Sequence, residues 1–180
     1  VMHSNYYSGR RVLLHWLSAV IILWALASGF YVAYYPVSAA TEHWVGSLNV
    51  SLTTLFIPVF AWRLWLFVSE LGAGEPVTNR LALAVHALIY LCIGVVLVTG
   101  VLMMKSPISI FGFIEIPRPL DDPALIGLAS AVHTLSCAVL SMLVALHLCA
   151  VAWHECSGRR VVRRMSFAKR ADAMIQRGQR

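Results

Sequence analysis

The chain has 180 residues, of which 59% are hydrophobic and 12% charged, with a formal net charge of +6. Soluble domains carry about 25% charged residues, so a water-soluble globular fold is excluded and the length suits one small membrane-embedded helical bundle. The positive excess comes without any nucleic-acid-binding motif, so it reads as a topology and lipid-contact signal, and no nucleic-acid partner is expected.

Four apolar segments reach the roughly 20 residues needed to cross a bilayer. The first, 12–35, ends at Pro36 and is too long for the apolar core of a signal peptide. The second, 44–68, contains Pro58, which predicts a kink. The third is 81–104. The connection 105–122 holds Pro107, Pro117 and Pro119, and its Ile-Ser-Ile-Phe-Gly-Phe stretch is expected along the outer interface. The fourth, 123–153, opens on Pro123, which suits the first turn of a helix. A basic tail, 154–180, follows. The expected fold is all-α: a transmembrane four-helix bundle forming a single membrane domain over 1–180.

Arg10, Arg11, Arg80, Arg159, Arg160, Arg163, Arg164, Lys169 and Arg170 fall on one side if the chain crosses four times. The other side has Lys105 and Arg118. The positive-inside rule then predicts that both termini are cytoplasmic. Trp16, Tyr34, Tyr35, Trp44, Trp65 and Trp153 stand near the span boundaries, where aromatic anchors belong. Cys92, Cys137 and Cys149 lie within spans and Cys156 just beyond. No CxxC or CxxCH occurs, so these thiols read as small apolar fillers.

Ionisable groups at membrane depth are rare and are functional candidates. His133 and His147 are fourteen residues apart on the fourth span. Four helical turns take about fourteen residues and roughly 21 Å, so both imidazoles share one face at two depths. His15 begins the first span on the inner side, and His43 begins the second on the outer side. His86 is on the inner side of the third. His154 lies two turns beyond His147, and His3 sits in a polar N-terminal segment with no expected role. The outer side offers one pair, His43 with His133. The inner side offers His147 with either His15 or His86.

Imidazole is a good axial ligand for haem iron. A single histidine of this kind ordinarily bonds a neighbouring helix. A set matched in depth on several helices points instead to a cofactor. Zinc or copper would need more ligands converging on one point, often with Cys or carboxylate. Two imidazoles per level suit a porphyrin, which supplies the remaining nitrogens. Arg63, in Phe-Ala-Trp-Arg-Leu-Trp, either snorkels to the inner interface or pairs with a haem propionate. Arg10 and Arg11 are further cations for such propionates.

With those residues placed, the chain resembles the bacterial di-haem cytochrome b561 family from about Tyr6 to Phe167. The matching segments are Leu-His-Trp-Leu at 14–17, Glu-His-Trp-Val-Gly at 42–46, Trp-Arg-Leu at 62–64 and His-Ala-Leu-Ile-Tyr at 86–90. They continue with Thr-Gly at 99–100, Phe-Gly-Phe and Ile-Pro within 111–117, Val-His-Thr-Leu at 132–135, Leu-His-Leu at 146–148 and Arg-Arg-Met at 163–165. The resemblance implies two haem b groups: His15 and His147 holding the inner iron, His43 and His133 the outer one. It leaves His86 beside the ligands or at a quinone site. It further implies one-electron transfer across the bacterial inner membrane, with superoxide or another periplasmic redox partner as donor and ubiquinone as acceptor. Superoxide is an anion, so Lys105 and Arg118 are candidates for its access route, although Glu42, Glu115, Asp121 and Asp122 share that face. The rival expectations are a cytochrome b anchor subunit, relaying electrons between quinone and a hydrogenase or dehydrogenase, and a haem-free metal transporter or structural bundle.

Overall fold

A computed structural model describes residues 9–72 and 80–158. The basic tail beyond 158, His3 and the Arg-Arg-Met segment lie outside the described residues. Four helices account for most of the described chain: α1 (Gly9–Tyr34), α2 (Ala39–Gly72), α3 (Arg80–Leu102) and α4 (Pro123–Cys156). Each is long and apolar enough to cross a membrane. All four expected spans are present, and most run several residues past their apolar stretch, because a helix satisfies its own backbone whether or not lipid surrounds it.

Local chemistry sets the ends. Asp122 caps α4, its side chain accepting the Ala124 N–H at 2.8 Å, with Pro123 at the first helical turn. Pro58 lies inside α2, which continues through it as one helix. Hydroxyls within the spans bond the carbonyl one turn back, as Ser18 does to Leu14 (2.6 Å) and Thr99 to Val95 (2.6 Å). That is how a polar side chain is satisfied where no water reaches it.

The helices alternate in direction. Arg11 near the start of α1 forms an ion pair with Glu70 near the end of α2. On α3 and α4, Val96 and Thr99 meet His133, while His86 meets His147. Gly9 and Cys156 therefore stand at one end of the bundle, called here the basic end.

At the other end, the 105–122 connection folds into a short antiparallel hairpin, β1 (Ile108–Ile110) with β2 (Ile114–Ile116). The sequence expectation is a connection lying along the outer interface, with no strand assigned; the hairpin arises because Phe111 and Gly112 both adopt positive φ (49° and 76°) and turn the chain back. Ile108 and Ile110 are buried, whereas Phe113 is 91% exposed.

The core is a mid-depth apolar layer. Phe56 and Phe60 of α2, Ile93 and Leu97 of α3 and Leu140 of α4 are buried together, with Ile21, Ile22 and Leu26 of α1 packed against them. Large apolar residues such as Leu13, Val20, Trp65, Leu81, Leu135 and Met142 face outward. Lipid tails are as apolar as leucine, so this surface needs no cover, and close packing with interhelical polar contacts holds the helices together. One such contact joins α1 to α2. Ser28 gives its hydrogen to the Trp24 carbonyl (2.7 Å), so the Asn49 amide donates to Ser28 Oγ at 3.0 Å.

Candidate functional site

The apolar layer separates two groups of histidines. At the basic end, one side chain comes from each helix: His15 from α1, Arg63 from α2, His86 from α3 and His147 from α4. Arg63 Nη2 donates to His15 Nδ1 at 2.9 Å, and its Cζ lies 5.4 Å from the Tyr90 ring centroid. Tyr90 in turn stacks on Phe67 at 4.6 Å. Arg63 is thus held between an imidazole and an aromatic face, a geometry suited to a planar guanidinium.

His86 and His147 meet edge to face, with ring centroids 5.3 Å apart and planes at 81°. His86 Nδ1 donates to the Ala82 carbonyl at 2.6 Å, which leaves its Nε2 as the free base. Perpendicular rings in direct contact leave no gap for a macrocycle between them. In this geometry the two histidines are neighbours rather than a facing pair.

At the hairpin end, His133 is fixed from α3. Its Nδ1 lies 3.1 Å from the Val96 carbonyl and 3.2 Å from Thr99 Oγ1. A carbonyl only accepts, so Nδ1 carries the hydrogen and Nε2 carries the lone pair. This is the usual arrangement for a metal-binding imidazole, whose second nitrogen is tied to a carbonyl. The Cys137 thiol lies 3.5 Å from that Nε2. Gly100 makes the approach possible, since a Cβ there would stand 3.2 Å from His133 Cε1.

His133 opens onto a cavity of about 440 Å³, walled by all four helices and by Ile108 of the hairpin. That volume lies within the range of small-molecule and cofactor sites. Its lining is apolar apart from a few groups such as Asn49, Thr53, Thr134 and Cys137. Gly29 of α1 and Gly46 of α2 face it, and a Cβ added at either would meet nothing within 4 Å. Bare backbone walls, an apolar lining and an imidazole whose Nε2 keeps its lone pair, met only by the weakly donating Cys137 thiol, are what a flat, largely apolar macrocycle requires, so the residues fit the expected haem.

His43 is exposed near the start of α2 and is not part of the cavity lining. It lies three residues before Gly46 and seven before Val50, both of which line the cavity. At 3.6 residues per turn it continues the same stripe one turn toward the hairpin end.

The remaining candidates sit apart from these sites. Arg10 is exposed at the basic end, and Arg11 is paired with Glu70. Lys105 is exposed, and Arg118 pairs with Asp121 at 2.7 Å while donating to the Lys105 carbonyl at 3.4 Å. His154, in the last turn of α4, has a buried Nδ1 without a hydrogen-bond partner. Among the described residues, no three His, Cys, Asp or Glu are grouped to hold a bare metal ion. Sequence reasoning did not single out Val96 or Ser51, and it read Cys137 as an apolar filler where the structure sets its thiol against His133. The Thr99-Gly100 pair was visible as a motif, but its contact with His133 was not.

A family model described as prokaryotic cytochrome b561 matches residues 6–168. Among curated proteins, the chain is similar to cytochrome b561 homolog 2 of Escherichia coli (strain K12). The two are 30% identical over 128 residues, which is 66% of this chain and 68% of the relative.

Proposed function

This chain belongs to the prokaryotic cytochrome b561 family, and from that premise we propose that it carries single electrons across the bacterial inner membrane through two haem b groups, from superoxide to ubiquinone. It is a multi-pass bacterial membrane protein of a haem b electron-transfer family; the number of haems, the donor and the acceptor belong to the proposal. When bound, haem supplies the one-electron ferric–ferrous couple.

One observation carries the reading: two histidine sites on opposite sides of the Phe56–Phe60–Leu140 layer, one of them with its Nε2 lone pair fixed by a backbone carbonyl on Nδ1. His43 and His133 hold the group at the hairpin end. His15 and His147 hold the group at the basic end, as the family resemblance implies, and the edge-on packing of His86 against His147 supports this choice. Arg63 serves the propionates at the basic end, with Arg10 and Arg11 nearby on α1. His86, exposed with a free Nε2, is placed to exchange a proton with a reduced quinone. The apolar layer excludes water between the two sites. The positive-inside rule assigns the basic end, with both termini, to the cytoplasm.

The balance is simple. Each superoxide gives one electron and leaves as dioxygen; two electrons and two protons convert one quinone to quinol. Lys105 and Arg118 lie on the superoxide side. The test is superoxide-dependent quinone reduction by the purified protein, with an anaerobic dithionite spectrum alongside. A split or broad b-type alpha band with about two haems per chain supports the reading, and an iron-free folded preparation ends it.

A second reading is favoured by the pairing of Arg118 with Asp121. That pair removes half of the positive charge available to focus an anion. A membrane anchor subunit relaying electrons between quinone and a hydrogenase or dehydrogenase needs no such focusing. Copurification with a partner, and no superoxide activity from the isolated chain, selects it.

A further inference from the structure

The hairpin is not a free loop. Ser51, on α2, is completely buried. Its hydroxyl accepts the Phe111 N–H at 2.9 Å and lies 2.9 Å from the Ser47 carbonyl and 3.3 Å from the Ser109 carbonyl, the acceptors for its own hydrogen. Phe111 holds a positive φ of 49°, which a non-glycine residue adopts at a cost and keeps only when its surroundings fix it. The strand so fixed carries Ile108, 3% exposed, into the cavity wall beside Met103 and Met104, just beyond the end of α3.

We propose that Ser51 is a positioning residue: it clasps the hairpin down as the roof of the cavity at His133 and thereby sets how much water reaches the redox group held there. The proposal rests on the reading that this cavity holds a haem. It follows from burial and charge. A haem held by two neutral imidazoles gains a positive charge on oxidation, and an apolar cavity disfavours the charged form. Loosening the roof admits water and favours oxidation. The ladder between β1 and β2 spans only three residues each, too few to be stable alone, so the seating of the hairpin depends on its contacts with the bundle: the packing of Ile108 and Ile110, and the Ser51 hydroxyl that fixes the turn at Phe111.

The test compares wild type, Ser51→Ala, Ser51→Thr and Gly112→Val in lipid nanodiscs. Gly112 has φ 76°, so valine strains the turn while leaving Ser51 intact. Hydrogen exchange over 105–120 reports the clasp without reference to haem. Spectroelectrochemical titration reports each haem separately. In Ser51→Ala and Gly112→Val, exchange at the hairpin rises at least tenfold. The potential of the haem lost in His133→Ala falls, shifting its oxidised-to-reduced ratio about tenfold (about 59 mV for one electron), while the other haem is unmoved. Ser51→Thr keeps the hydroxyl and stays near wild type in both readouts. Unchanged exchange in Ser51→Ala overturns the clasp. Faster exchange with both potentials unchanged overturns its coupling to the site and leaves the two-haem reading standing. Wild-type protein without a haem dependent on His133 removes both.

Discussion

Arg63 donates to His15 Nδ1 at 2.9 Å across the α1–α2 interface. A guanidinium only donates, so Nδ1 is the acceptor and the ring hydrogen is on Nε2. At His133 the pattern is reversed, with Nδ1 donating to the Val96 carbonyl. Ligation through Nε2 at His15 therefore requires Arg63 to release Nδ1, and propionate oxygens are the acceptors a guanidinium fork best fits.

Arg63→Gln is expected to lower the potential of the haem at the basic end. A fixed cation disfavours the ferric form, and at a separation of roughly 12 Å and an effective dielectric near 20 its removal is worth about 1.4 kcal/mol, or roughly 60 mV. Redox titration of the variant in detergent or nanodiscs checks this. No movement of either potential would return Arg63 to the role of a snorkelling anchor.

At the hairpin end, His133→Ala and His43→Ala should each remove one haem of the two, with the other retained. The pyridine haemochrome assay against protein concentration gives the stoichiometry directly. Retention of two haems in His43→Ala would show that the exposed His43 is not a ligand.

The basic end is distinguished by a three-way comparison. His15→Ala and His147→Ala lose that haem, whereas His86→Ala keeps both and slows quinone reduction. The assignment of His15 rather than His86 fails if haem content falls in His86→Ala and survives in His15→Ala.

Gly100→Val forces atoms against the His133 ring, since even a Cβ would stand 3.2 Å from Cε1. Overpacking of this kind costs about 1–3 kcal/mol. The expected result is reduced occupancy of the haem at the hairpin end only, with Gly100→Ala milder. Equal loss of both haems would indicate general misfolding instead, and thermal melts of the variants separate the two outcomes.

The spans were readable in the sequence because lipid imposes length and apolarity on any segment that crosses it, and the chain meets that demand four times. Histidine depth was readable for the same reason: helical rise converts residue number into height. Hence His133 and His147 could be assigned to two levels before any coordinates. What the sequence left open was direction within a level. His15 and His86 both stood at the height of His147, and only packing shows that His86 turns edge-on to it while Arg63 occupies His15.

Periodicity says which stripe a residue lies on, but not which backbone carbonyl or bare glycine faces it across a helix interface. Val96 and Cys137 look like ordinary span residues, and Gly100 like part of a short motif without a partner, until α3 and α4 are set against each other. The hairpin escaped notice for a related reason. Its turn is tied down by a buried hydroxyl, Ser51, some sixty positions away in the chain, and a contact that distant leaves no local pattern to read. The one-dimensional string thus determined how often the polymer crosses lipid and at what height its imidazoles lie; the assembled bundle decided which ring nitrogen each of them has free, because hydrogen-bond partners are chosen by neighbours in space.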